Sequence, residues 1–168
     1  DVDRAARFIY LNKTCFNGLH RVNRSGHFNV PAGRYKNPRI VDPDGLRAAS
    51  DALKSAEIVH AGFDQILRHA RPGDFVYFDP PYVPLSETSS FTSYARDGFG
   101  PDEQLRLRDV FRELDRRGCK LMLSNSDTDF VREAYADWHL DVVAAPRAVN
   151  CNGRGRGKVT ELVVRNYR

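Results

Sequence analysis

The segment FVYFDPPYVP, residues 75–84, ends a strand-like run on a carboxylate and continues it with two prolines and a tyrosine. An ionised Asp79 at the end of a strand offers only acceptors. Pro80 and Pro81 bring no backbone N–H to compete for it, and they stiffen the turn. The Pro80 carbonyl is then left to accept a second hydrogen bond, and Tyr82 adds a flat aromatic face. Two acceptors beside one aromatic face describe a pocket for a planar amine, such as an adenine edge. The same residues also describe a rigid turn whose acid caps a neighbouring group, and four residues alone do not separate the two readings.

Such a turn needs elements to hold it. FVYFD (75–79) predicts a buried strand, EIVHAG (57–62) a short strand before it, and FDQILRHA (63–70) a helix ended by Arg71-Pro72-Gly73-Asp74. Asp42-Pro43-Asp44 offers a helix start, with Leu46, Ala49, Leu53 and Ala56 at helical spacing. Leu107, Val110, Phe111 and Leu114 recur at i, i+3, i+4, i+7 between Pro101 and Gly118, which predicts a helix. CKLMLSN (119–125) is another buried strand, and Ser126 with Asp129 resembles a capping box for a helix through 136. HLDVVAAP (139–146) and TELVVRNY (160–167) predict two last strands around a Gly/Arg loop at 152–158, and residues 83–100 a long polar loop. The order predicts an α/β fold on a sheet with parallel strands and a final antiparallel hairpin. Ligands in such sheets sit beyond the carboxyl ends of the strands, where Asp79 and Ser124-Asn125 would converge.

Residues 4–12, RAARFIYLN, read as either a helix or a buried strand, and residues 13–39 have a different character. KTCFNGLHRVNRSGHFNVPAGRYKNPR interleaves glycine and asparagine with arginine and aromatic residues. Asn23-Arg24-Ser25-Gly26 reads as a turn between short extended pieces. Charge is uneven. Residues 1–40 carry eight Lys/Arg against two acids, 41–146 twelve against nineteen, and 147–168 six against one. Two basic ends flanking an acidic middle would make a polyanion-binding face if they met in space. A composition 41% apolar and 29% charged fits a globular domain with a core. No run is long and apolar enough for a membrane span, and DVDRAARF lacks signal-peptide character. Cys15, Cys119 and Cys151 are isolated, which argues against a disulfide framework or a zinc site and for a reducing cytoplasm.

Asp-Pro-Pro-Tyr after an apolar strand resembles motif IV of the DNA amino-methyltransferases. NKTCFNGLHRVNRSGHFNVPAGRY (12–35) looks like the target-recognition hairpin of the Dam family, DNA adenine methyltransferases of the D12 class that act in GATC. PPYVPLSETSSFTSY (80–94), LSNSDT (123–128) and NGRGRGKVTELVV (152–164) extend the resemblance, in order, over essentially the whole chain. It implies a partial Rossmann-like methyltransferase sheet from residue 41 on, a recognition hairpin at 13–40, and the start of a recognition-domain element at 1–12. Asp79, Pro80, Pro81 and Tyr82 would then hold a flipped adenine, with Asp79 also at the cofactor. Phe16 and Asn17 would wedge beside the vacated base. Leu19, Arg21 and Pro31 would contact base edges, Tyr35 the DNA, and Asn23, Arg34, Arg147, Arg154, Arg156 and Lys158 would complete the DNA-binding set. The implied cofactor is S-adenosylmethionine, with no metal, and the partner is double-stranded DNA near the nucleoid.

The family carries a Phe-x-Gly-x-Gly loop near its N-terminus that is absent from these residues. Gly98-Phe99-Gly100 and Gly153–Gly157 do not follow a strand into a helix and do not replace it. The chain therefore reads as the C-terminal two-thirds of such an enzyme, with an N-terminal segment as a possible partner. The 168 residues alone are expected to bind DNA with strong salt dependence and to transfer no methyl group. Two other readings stay open: a DNA-binding module without catalysis, and an amino-methyltransferase acting on RNA or on protein glutamine. The hairpin argues against the latter.

Overall fold

The computed structural model describes residues 1–23, 25–85, 99–146 and 158–168. The chain divides into two compact units, Asp1–His60 and Ala61–Arg168.

In the first unit, α1 spans Val2–Thr14. Arg4, Ala5, Ala6 and Arg7 are good helix formers, and they carry residues 4–12 into a helix rather than a strand. The excursion after it is tied by two isolated antiparallel bridges, Cys15 to Ala32 and Val22 to Phe28, rather than by a continuous ladder. Asn23 forms the expected turn: Gly26 N–H donates to its carbonyl at 2.9 Å, and its side-chain Oδ1 accepts from the N–H groups of Ser25 and His27, each at 3.0 Å. His20 packs between Phe8 of α1 and Phe28, with ring centroids 5.5 and 5.9 Å away, so the helix and the excursion meet through a surface row of three rings. Then α2, Pro43–Ala52, starts where Asp42-Pro43-Asp44 predicts. The Asp42 carboxylate accepts from Gly45 N–H at 3.2 Å, the usual capping geometry.

Residues 57–62, expected as a strand, form none. Ile58 and Val59 are 77% and 60% exposed, and strand propensity has no effect without a partner to pair with. In the second unit, residues 63–70 form a short 3₁₀ turn and a single α-turn, α3 (Ile66–His69). The sheet comes next: β1 (Phe75–Phe78), β2 (Lys120–Ser126), β3 (His139–Pro146) and β4 (Lys158–Arg165), in spatial order β1-β2-β4-β3. β1 and β2 are parallel, and β4 is antiparallel to both β2 and β3, which matches the expected parallel strands with a final antiparallel hairpin.

The parallel step from β1 to β2 requires a crossover, and α4 (Pro101–Arg116) lies within it. Its Leu107, Val110, Phe111 and Leu114 pack with Val76 and Phe78 of β1, Leu121 and Leu123 of β2, and Leu162 and Val164 of β4. β1 is not buried on both sides as expected. Phe75 and Tyr77 are 57% and 52% exposed, because the core that α4 supplies lies on the Val76/Phe78 face and a pleated strand alternates its side chains. α5 (Asp129–Ala134) comes after β2, and its cap is Thr128, whose hydroxyl accepts from Val131 N–H at 3.3 Å. The expected capping residue, Ser126, is instead the buried last residue of β2, paired with Glu161. Among the described residues no helix is long and apolar enough to cross a membrane.

Candidate functional site

β1 and β2 run parallel with Phe78 beside Leu123, which places the next residues, Asp79 and Ser124, side by side at the carboxyl ends. Ser124 Oγ donates to Asp79 Oδ1 at 3.0 Å, and Tyr77 Oη lies 2.9 Å from the same Oγ. A serine hydroxyl carries one proton. Since that proton serves the carboxylate, Tyr77 must be the donor to Ser124. The result is a directed relay from Tyr77 through Ser124 to Asp79. It fixes one carboxylate oxygen, while the other has no hydrogen-bond partner among the described residues. Asp79 itself is exposed.

A second network fixes the turn after Asp79. Asn125, fully buried, accepts from Val83 N–H at 3.0 Å and from Ser126 N–H at 2.8 Å through its Oδ1. Its Nδ2 donates to Gln104 Oε1 at 3.1 Å, and Gln104 Nε2 donates to the Pro81 carbonyl at 2.8 Å. The peptide groups on both sides of Tyr82 are thereby pinned by two buried amides, one from β2 and one from α4. Among the described residues the Pro80 carbonyl accepts no hydrogen bond. Partial burial raises the Tyr82 phenol above its ordinary range. The charges of Glu161 and Asp79 add to it. Tyr82 therefore presents a neutral ring at physiological pH.

Gln104 and Tyr77 are absent from the sequence-based set. Gln104 was detectable: it stands one turn before Leu107 on the apolar stripe of α4, where a polar residue needs a buried partner. The hydroxyl of Tyr77 gave no signal of its own, since tyrosine is common in strands.

In the first unit, Phe16 is 49% exposed and immediately precedes two residues in the left-handed region, Asn17 at φ 53° and Gly18 at φ 63°. Asparagine and glycine tolerate that conformation best, so the kink after Phe16 is encoded locally. Phe16 N–H donates to the Pro31 carbonyl at 2.9 Å, and Gly33 N–H donates to Thr14 O at 2.8 Å. The Leu19 carbonyl accepts from the buried Cys15 thiol at 3.2 Å. Arg21, Asn23, Pro31, Arg34 and Tyr35 are exposed. The structure thus gathers Phe16, Asn17, Leu19, Arg21, Asn23, Pro31, Arg34 and Tyr35 in one unit, and Asp79, Pro80, Pro81 and Tyr82 in the other. Arg147, Arg154 and Arg156 lie outside the described residues, as do Cys151 and most of the polar loop expected at 83–100. Lys158 opens β4, where its backbone pairs with Pro146.

Gly33 marks a close approach. A Cβ added there would lie 2.9 Å from the Cys15 carbonyl oxygen and 2.3 Å from Tyr35 Cε2. The tyrosine ring can swing aside, but the backbone oxygen is held next to the Cys15–Ala32 bridge. Gly33→Ala is expected to cost about 1–3 kcal/mol, as overpacking does. Thermal melting would check it.

Residues 1–149 match the model of the D12 class N6 adenine-specific DNA methyltransferases. Over 169 residues the chain is 48% identical to the type II methyltransferase M1.LlaDCHI of Lactococcus lactis subsp. cremoris, covering 99% of this chain and 60% of that protein. It is also 48% identical over 169 residues to the type II methyltransferase M.MjaIII of Methanocaldococcus jannaschii, covering 99% of this chain and 58% of that one. The DNA adenine methylase of Vibrio cholerae is 40% identical over 161 residues, which are 95% of this chain and 58% of the relative. The chain thus spans about three-fifths of the length of these relatives.

Proposed function

The chain belongs to the D12 class of N6 adenine-specific DNA methyltransferases, and on that premise we propose that it methylates the exocyclic N6 amine of adenine in double-stranded DNA, within GATC, after turning the base out of the helix. The observation that carries this reading is the pinned Asp-Pro-Pro-Tyr turn. Its carboxylate is oriented by Ser124, and the peptides flanking Tyr82 are held by Asn125 and Gln104.

The lone pair of adenine N6 is delocalised into the ring and is a poor nucleophile. Asp79 and the Pro80 carbonyl accept the two N6–H groups, which draws the pair out of conjugation and aims it. The negative charge of Asp79 also stabilises the amine as it becomes cationic. Tyr82 stacks on the extruded base, and Phe16 with Asn17 fills the gap left in the duplex. S-adenosylmethionine supplies a methyl group on a sulfonium, ready for direct displacement. Asp79 is the residue that would face its charged end, as an exposed carboxylate next to the turn. When bound, the cofactor would supply that methyl group to the amine that Asp79 and the Pro80 carbonyl orient.

The test is incorporation of labelled methyl groups by the full-length protein. It would use a GATC duplex, duplexes altered at each single base pair, and the matching RNA. Transfer confined to GATC supports the reading. Equal transfer to every duplex would remove the site assignment, and transfer to RNA alone would remove DNA as the substrate. Retarded migration of DNA with no transfer would leave a binding module.

A further inference from the structure

Arg21 is held from within its own hairpin. Its Nε donates to Asn29 Oδ1 at 2.8 Å, and its Nη2 donates to the Asn29 carbonyl at 3.0 Å. Asn29 is placed opposite by the chain itself, since its N–H donates back to the Arg21 carbonyl at 3.1 Å. The Val22–Phe28 bridge and the turn at Asn23 lie between them. The two residues are exposed, so burial does not force this pairing.

A guanidinium has five N–H groups in a planar fork and presents them as two edges. Asn29 occupies the Nε/Nη2 edge. The remaining edge, Nη1 with the second Nη2 hydrogen, has no partner among the described residues. That free edge is the one a guanidinium uses to pair bidentately with O6 and N7 of guanine in the major groove. An unrestrained arginine would lose its rotamer freedom on meeting a base. An arginine already clamped along one edge has lost it in the free protein.

We propose that Asn29 is a positioning residue for specificity: it clamps Arg21 along one guanidinium edge so that the other edge reads a guanine. This rests on the reading of Arg21 as a base-contacting residue of a DNA methyltransferase. It adds a residue that contributes to discrimination without touching the base.

Rates of methyl transfer by the full-length protein on GATC and on duplexes altered at single base pairs separate the clamp from the base contact. Arg21→Ala should lower the preference for guanine over the other bases at one position by about tenfold or more, the worth of a bidentate base contact. Asn29→Ala should lower the preference at that same position, by about three- to tenfold, and leave the other positions unchanged. The double variant should be no less selective than Arg21→Ala alone, because the clamp has nothing left to hold. Asn29→Asp keeps the side-chain acceptor for Nε. It should retain the preference while weakening binding to every duplex alike, since it adds a negative charge near phosphates. Thermal melting of each variant confirms that the hairpin unit is folded.

Unchanged preference in Arg21→Ala would overturn the base-reading role, and this inference with it. Relaxed preference in Arg21→Ala beside unchanged preference in Asn29→Ala would overturn the clamp alone. A uniform loss across all duplexes in Asn29→Ala, or a further loss in the double variant, would make Asn29 an independent DNA ligand.

Discussion

Under the proposed function, Asp79→Ala in the full-length protein is expected to lower methyl transfer to a GATC duplex by roughly 10²–10³-fold, the cost of losing one preorganised group aimed at developing charge, while DNA affinity stays within a few-fold. The split comes from where Asp79 sits. It follows β1 directly, beside Ser124, and the hairpin residues assigned to the duplex lie in the other unit. The relay behind it gives a graded series. Ser124→Ala frees the carboxylate oxygen that Ser124 now fixes at 3.0 Å. It should cost about tenfold, since a hydrogen bond to a charged group is worth ~1.5 kcal/mol. Tyr77→Phe removes only the donor behind Ser124, and its effect should be smaller still. Single-turnover rates with labelled cofactor, beside gel-shift titrations, measure the series. A near-native rate in Asp79→Ala would remove the carboxylate from the mechanism. A larger loss in Tyr77→Phe than in Ser124→Ala would break the direction assigned to the relay.

The convergence of Asp79 with Ser124-Asn125 was legible because it depends only on topology. Two apolar runs joined through an amphipathic helix pair in parallel, and their carboxyl ends then meet. α4 was legible for a similarly local reason, with four apolar residues at helical spacing between a proline start and a glycine stop. Each expectation that failed needed a partner the sequence could not supply. EIVHAG has strand-forming residues but no ladder to join. Ser126 and Thr128 both precede α5, and the choice between caps turned on how far β2 runs beside β4. The alternation in β1 depended on which face α4 would cover. At the site, the acid and its turn were visible as a motif, whereas the groups that fix them come from α4 and from the pairing of β1 with β2. Asn29 carried no signal in the sequence for the same reason, because its meeting with Arg21 depends on the bridge between Val22 and Phe28.

Those fixing groups give the second large effect. Gln104 is 3% exposed and stands between Asn125 Nδ2 and the Pro81 carbonyl. Gln104→Leu keeps the volume of the side chain and its place on the apolar stripe of α4, yet it strips a partner from the buried Asn125 amide and from the part-buried hydrogen bond at the Pro81 carbonyl. Leaving the buried Asn125 amide short of a partner costs ~1–3 kcal/mol, so a loss of about that size and a fall in melting temperature of roughly 2–12 °C are expected. The functional loss should exceed what instability explains. The Pro81 carbonyl and the Val83 N–H hold the chain on either side of Tyr82, and a misplacement of about 1 Å at a reacting site is worth on the order of 10²-fold in rate. The rate should therefore fall even at temperatures where the variant is fully folded, while gel-shift affinity for DNA is preserved. Gln104→Glu tests whether the hydrogen bond itself matters. As a carboxylate it still accepts from Asn125 but sets an anion against the Pro81 carbonyl, and as the neutral acid it can donate to that carbonyl again. Burial and the facing carbonyl both favour the neutral form and raise the pKa of the introduced acid. Transfer by this variant, relative to the parent at each pH, should rise as the pH falls through that raised value. A relative rate that does not change with pH, in a variant shown to be folded, would mean that Gln104 fills space in α4 and does not hold the turn.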